Sequence, residues 1–340
     1  MKRYIALIFS VIICLGMLSG CQEYEMTPEA SSYFHIDKDR IYSTSLTEVP
    51  VIKSSFASAY AVIPYGTYDN RPNSSATLCI NNTTNQMIQA SDPFEQIYPA
   101  SITKIMTALL VLENGKLDDT VTIDSDIIFD DAQAVKLGLK TGDTLTVNEL
   151  LHGLLITSAN DCAVALARYI AGNENDFVEQ MNHRAEQLGA THTHFVNPHG
   201  LHNENHYTTA YDLYLIFKEV IRHPEFQEIT STAEYTVRYT DGDGNPIEIP
   251  ISNSDLFISA GYPLEDGITV VAGKTGTTNE AGSCLIVEAK GNNGQDYIAL
   301  VCGAPYRDSL YYQLQQLLNQ TITRDEISTT SCCTSNKVVL

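Results

Sequence analysis

Ser101 and Lys104 stand three residues apart at the head of an apolar stretch, residues 102–112. On a helix that spacing places both side chains on one face, one turn apart. A serine hydroxyl then lies within reach of an amine able to take its proton. Pro99 suits the opening of such a helix, because the N–H it lacks would have no partner there. The positive end of the helix favours negative charge developing at the serine. Alone, the pair is a common one, and a capping serine beside an exposed lysine is the plainer reading. Two further groups shift the balance. Ser158-Ala159-Asn160 falls between two helical stretches, 147–156 and 161–170, and Lys274-Thr275-Gly276 ends the strand-like run 268–273.

The order S-x-x-K, S-x-N, K-T-G, set at a helix start, an interhelical loop and a strand, resembles the signature of penicillin-binding active-site serine enzymes. The neighbourhoods narrow the likeness. Pro99-Ala100-Ser101-Ile102-Thr103-Lys104, Asn197-Pro198-His199-Gly200-Leu201, His206-Tyr207-Thr208-Thr209-Ala210-Tyr211-Asp212-Leu213 and Gly273-Lys274-Thr275-Gly276-Thr277-Thr278-Asn279-Glu280-Ala281-Gly282 resemble the D-alanyl-D-alanine carboxypeptidases, the low-molecular-weight penicillin-binding proteins. The likeness covers roughly residues 56–320. It implies removal of the terminal D-alanine from peptidoglycan stem peptides, β-lactams as covalent inhibitors, and no cofactor or metal.

On that reading Ser101 attacks the carbonyl between the two D-alanines and forms an acyl-enzyme. Lys104 is the base, provided that burial and Lys274 lower its pKa. Ser158 relays a proton to the leaving amine, and Asn160 holds Lys104 and the substrate amide. Lys274, Thr275, Gly276 and Thr277 form the substrate-binding edge, with charge and hydroxyls for the terminal carboxylate. Backbone N–H groups of Ser101 and Thr277 form the oxyanion hole, where one donor is worth roughly 100- to 1000-fold in rate. Some features depart from the family. Ala159 stands where relatives usually carry glycine. The arginine that many members use for the terminal carboxylate has only Arg307 as a counterpart, a few residues early, with Leu310 in the expected place.

Rival readings are a D,D-endopeptidase, a β-lactamase and a non-catalytic wall-binding lipoprotein. A class A β-lactamase needs a Glu-x-x-x-Asn element to activate the deacylating water. The nearest match between Ser158 and Lys274, Glu179-Gln180-Met181-Asn182, has the wrong spacing. A long-lived penicillin adduct is therefore expected. The presence of every polar motif residue argues against a decayed, merely binding site.

Elements must position these groups. Strand patterns fall at 58–63, 76–80, 86–90, 268–272, 283–289 and 297–303, and a hairpin at 234–250 turns around Asp241-Gly242-Asp243-Gly244-Asn245. Helical stretches lie between them at 102–112, 147–156, 161–170, 175–188 and 209–222, the last stopped by Pro224, and a further one at 310–318. Strands at both ends with helices inserted predict an α/β (α+β) class. The expected architecture is a β-lactamase/transpeptidase-like fold: an antiparallel sheet from both chain ends, flanked by helices, plus a helical subdomain.

Lys2 and Arg3, an apolar run over 4–18 and Leu18-Ser19-Gly20-Cys21 read as a lipoprotein signal peptide over 1–20. The run is shorter than the roughly 20 residues of a spanning helix. Cleavage before Cys21 and lipid on its sulfur are expected. That gives a lipid-anchored linker over 21–55, a catalytic domain over 56–322 and a disordered polar tail over 323–340. The lipid would hold the chain to the membrane outside the cytoplasm, in place of the C-terminal β-domain and anchor helix common in the family. A formal charge of −21 argues against nucleic acid and against adhesion to anionic lipid. Cys79, Cys162, Cys284 and Cys302 sit in apolar runs and read as small core residues. His192, His194, His199, His202 and His206 read as a structural turn rather than a metal site. The acidic run 124–131 lacks the glycine and glutamate of a calcium loop and reads as a solvated face.

Overall fold

The computed structural model describes residues 74–131 and 134–334. The expected leader, Cys21, the linker and the strand at 58–63 lie outside the described residues. The described chain opens with the hairpin β1 (Ala76–Asn81) and β2 (Gln86–Ser91). A 3-10 turn, Ala100–Thr103, runs directly into α1 (Lys104–Asn114). Short strands β3 (Thr120–Thr122) and β4 (Thr144–Thr146) precede α2 (Val147–Leu155), α3 (Asn160–Ala171), α4 (Glu174–Gln187), α5 (Ala210–Val220) and α6 (Pro224–Thr230). The hairpin β5 (Glu234–Thr240) and β6 (Pro246–Ser252) and one helical turn, α7 (Leu256–Ser259), follow. Three long strands, β7 (Thr269–Thr278), β8 (Gly282–Lys290) and β9 (Asp296–Ala304), lead into α8 (Arg307–Thr334).

Side-chain alternation along the long strands splits the interior into two cores. Leu78, Ile80, Ile286, Ile298 and Leu300 face one way, against α1 and its neighbours. Cys79, Leu285, Val287, Ala299 and Val301 face the other, against Leu310, Tyr311, Leu314 and Leu318 of α8. A period of two permits this only when both faces are covered. The antiparallel sheet has the order β2-β1-β9-β8-β7, so the chain's early hairpin pairs with its late strands, as expected. α1 is buried along 104–111 and packs among α2, α3 and α5. A helix apolar on all sides has no other stable place. Thr146, Asn173 and Thr209 cap α2, α4 and α5 by accepting from the N–H three residues on.

Several elements depart from the sequence reading. β3 and β4 join β5 and β6 in a second sheet. At three residues each, β3 and β4 are too short to show a period. Pro224 ends α5 but also opens α6, in the first-turn position that suits proline. β7 continues through Thr278, so the K-T-G group lies within a strand paired to β8 rather than at its end. The expected disorder over 323–340 fails for 323–334, which extend α8, because no proline or glycine after Arg307 stops the helix. Of the adjacent tyrosines on α8, Tyr311 is buried and Tyr312 exposed, as a core-facing stripe requires.

Candidate active site

Lys104 is fully buried at the first turn of α1. Its Nζ lies 2.8 Å from Ser101 Oγ, 2.7 Å from Asn160 Oδ1 and 2.6 Å from the His199 carbonyl oxygen. Burial and then the charge of Lys274 hold its pKa well below the usual lysine range. A neutral amine has two N–H donors and one lone pair. Asn160 Oδ1 and the His199 carbonyl can only accept, so they take both donors. The lone pair is left facing the Ser101 hydroxyl, the geometry of a base beside its nucleophile.

The interhelical loop brings the second group in. Ser158 has φ +67, a left-handed conformation that side chains rarely adopt, and its Oγ accepts from Lys274 Nζ at 3.0 Å. Such strain persists only where surroundings enforce it. Ala159 has φ −62, so no glycine is needed there, and its N–H donates to the Gly153 carbonyl at 3.0 Å. Asp161 was not singled out from the sequence. Its buried carboxylate accepts from the N–H groups of Leu137, Gly138, Leu139 and Cys162, fixing the loop whose Val135 carbonyl accepts from Asn160 N–H.

Lys274 is also fully buried, and its Nζ donates to the Thr275 carbonyl at 2.9 Å. Burial pulls its pKa down to about 7, opposed by the nearby Asp255 carboxylate. Asp255, which caps α7, is itself pushed up to about 6 by burial. Gly276 lies flat against the nucleophile turn. A Cβ there would stand 2.9 Å from Ser101 N and 3.0 Å from both Ile102 N and the Pro99 carbonyl. The next residue of β7, Thr277, is exposed at the rim. Thr275 Oγ1 lies 2.6 Å from Ser254 Oγ, and Arg307 Nη2 donates to the Ser254 carbonyl at 2.6 Å. Arg307 is thus brought, through Ser254, to the corner of the site that holds Thr275. Ser254 carried no sequence signal, because its place depends on β6 and α7 meeting β7.

The clustered histidines take different partners, although His206 lies close enough to feel His194, His202 and His199. His199 is buried beside Phe129, with burial and then Lys104 pulling its pKa down to about 3, so its ring is neutral. His206 is buried under the nucleophile turn, bonded to Thr103. His194 bonds the Asn205 carbonyl at the surface. Asp124 and Asp126 of the acidic run are solvent-facing and bond Arg168 and Thr141.

A family model described as D-alanyl-D-alanine carboxypeptidase matches residues 67–306. The chain belongs to the D-alanyl-D-alanine carboxypeptidase family. It is 34% identical over 256 residues to the D-alanyl-D-alanine carboxypeptidase DacF of Bacillus subtilis, covering 74% of this chain and 62% of that one. It is 32% identical over 264 residues to DacA of Haemophilus influenzae, covering 75% and 63%. The chain therefore spans somewhat under two thirds of these curated relatives. Among solved structures, the Streptomyces K15 DD-transpeptidase superposes with a TM-score of 0.66 at 26% identity, covering 74% of this chain and 98% of that one. The expected α+β, transpeptidase-like fold is borne out. In this carboxypeptidase-family chain the three motif groups converge: Lys104 meets Ser101 and Asn160, and Lys274 meets Ser158.

Proposed function

We propose that the chain is a serine-type D-alanyl-D-alanine carboxypeptidase acting on peptidoglycan stem peptides. The observation that carries this is the buried Lys104 Nζ, 2.8 Å from Ser101 Oγ and held by Asn160 Oδ1 and the His199 carbonyl oxygen. Ser101 Oγ attacks the carbonyl carbon of the penultimate D-alanine while Lys104 takes the hydroxyl proton. The oxyanion is held by the N–H groups of Ser101 and Thr277. Ser158 passes a proton to the departing D-alanine nitrogen as the C–N bond breaks. Lys104 gives the proton it took to Ser158, which restores that hydroxyl and the neutral amine. Water then attacks the acyl-enzyme, giving a proton to Lys104, and Lys104 returns it to Ser101 Oγ as the bond to the shortened peptide breaks. Lys274, Thr275 and Arg307 face the free carboxylate, which favours trimming of a chain end over cleavage of a cross-link. β-Lactams acylate the same serine.

The test is release of free D-alanine from a pentapeptide stem analogue, with covalent labelling by a fluorescent penicillin alongside. Both are expected in the wild type and absent in Ser101→Ala. Labelling without D-alanine release would favour an endopeptidase, and rapid turnover of a chromogenic cephalosporin would favour a β-lactamase. The proposal extends to location: a signal peptide over 1–20 and lipid on Cys21 would hold the enzyme to the outer face of the membrane, against the wall. The Leu18-Ser19-Gly20-Cys21 run supports this. Labelling of cells with an alkyne-bearing fatty acid should mark the protein and fail for Cys21→Ala.

A further inference from the structure

We propose that His206 is a positioning residue for the nucleophile turn, holding the Ser101 N–H in the direction an oxyanion requires by way of Thr103 and the Ala100 carbonyl. The proposal rests on the acyl-enzyme reading above. The Ala100 carbonyl and the Ser101 N–H belong to one planar trans peptide, so fixing one end fixes the other. Ala100 has φ +48, a left-handed conformation unfavourable for a residue with a side chain, so this peptide needs an external hold.

That hold is a directed chain of hydrogen bonds. Thr103 Oγ1 lies 2.8 Å from the Ala100 carbonyl oxygen and 2.8 Å from His206 Nε2. The carbonyl can only accept, so the threonine hydroxyl donates to it. Val196 N–H donates to His206 Nδ1 at 3.2 Å, so that nitrogen carries no proton. His206 must then carry its proton on Nε2 and donate it to Thr103. Every link has one possible polarity, from Val196 N–H through His206 and Thr103 to Ala100. Hydrogen bonds in series strengthen one another in a water-poor setting. Thr103 and His206 are both buried. Gly200 closes the assembly from the other side, since a Cβ there would stand 2.0 Å from the Ala100 carbonyl oxygen and 2.8 Å from Thr103 Oγ1. The Ser101 N–H, on the opposite side of the peptide, lies against Gly276 of β7, one residue before Thr277.

The experiment compares His206→Ala, Thr103→Val, Thr103→Ser and the double variant His206→Ala/Thr103→Val in the full chain. The readouts are kcat and KM on the pentapeptide analogue, the acylation rate with fluorescent penicillin, and inhibition by a boronic acid that forms a tetrahedral adduct. His206→Ala and Thr103→Val should each lower kcat and acylation about 10- to 100-fold, a fraction of the loss from deleting an oxyanion donor. KM should stay within about threefold, and boronate affinity should fall in step with kcat. Thr103→Ser, which keeps the hydroxyl, should restore most of the rate. The double variant should be no slower than Thr103→Val. Wild-type kcat in a folded His206→Ala, a loss confined to KM, or losses that multiply in the double variant would each overturn the proposal. Should His206→Ala not fold, Thr103→Val against Thr103→Ser decides it. A wild type that penicillin does not label would instead overturn the acyl-enzyme reading, and this proposal with it.

Discussion

Two carbonyl oxygens decide what Lys104 can do, because they leave its amine one free direction and Ser101 lies in it. Lys104→Arg tests this. The guanidinium fills similar space but keeps its protons, so acylation should fall about 1000-fold, within the range general bases contribute. Stopped-flow labelling with a fluorescent penicillin measures it. Lys274 carries a different pH signature. Its folded-state pKa of about 7 means that the cation is lost as pH rises through that value. The KM for a peptide with a free carboxylate should therefore climb above pH 7. kcat should hold, because bound carboxylate keeps Lys274 protonated. Asp255→Asn removes the anion that raises the Lys274 pKa, so the climb should begin at lower pH. Steady-state kinetics from pH 5.5 to 9 would show both, about one decade of kcat/KM per pH unit for a single proton.

At the scale of elements, three pieces of backbone meet at the site: the 3-10 turn ahead of α1, the loop between α2 and α3, and β7. Each is held in an unusual conformation or contact, with positive φ at Ala100 and Ser158 and no room for a side chain at Gly276. Gly276→Ala would push β7 off the nucleophile turn, because the neighbours of its Cβ are backbone atoms that cannot rotate away. A displacement on the order of 1 Å costs about 100-fold in rate. The expected outcome is a folded protein with acylation down about 100-fold, checked by circular dichroism and penicillin labelling together. A side chain accommodated without loss would show that the strand is free to move. The α1, α2 and α3 stretches were legible from their apolar runs, but the 3-10 turn was not, since it differs from a helix start only in hydrogen-bond pattern.

Across the whole molecule, the sheet separates most of the chemistry from its support, with Arg307 at the head of α8 reaching round to the site. The site lies on the face toward α1, while α8 covers the other face with Leu310, Tyr311, Leu314 and Leu318. Leu314→Ala should thus destabilise by about 2–5 kcal/mol without changing kcat at 25 °C. Thermal unfolding and D-alanine release, measured on one preparation, would separate the two effects. A matching loss of activity would mean that the faces are coupled. The net charge of −21 acts at this scale too: self-repulsion opposes compactness, and salt near 0.15 M should raise the unfolding temperature above its low-salt value.

Residue types and their order were enough to single out Ser101, Lys104, Ser158 and the K-T-G strand, because each needs only a local setting: one helical turn, one loop, one strand. They were also enough to expect a sheet shared by the two ends, since strand periods bracket the helices. What chain order could not show is which distant groups close the site. The His199 carbonyl that takes one Lys104 donor, the Thr103–His206 pair and the Ser254 link from Thr275 to Arg307 all span long sequence separations. His199, His206 and Thr103 fall in stretches that carry the family likeness, but a stretch does not say which distant atom each residue meets, and Ser254 has no pattern of its own. Tertiary structure alone brings a backbone carbonyl to a buried amine, and it alone removes the water that would otherwise keep both lysines charged.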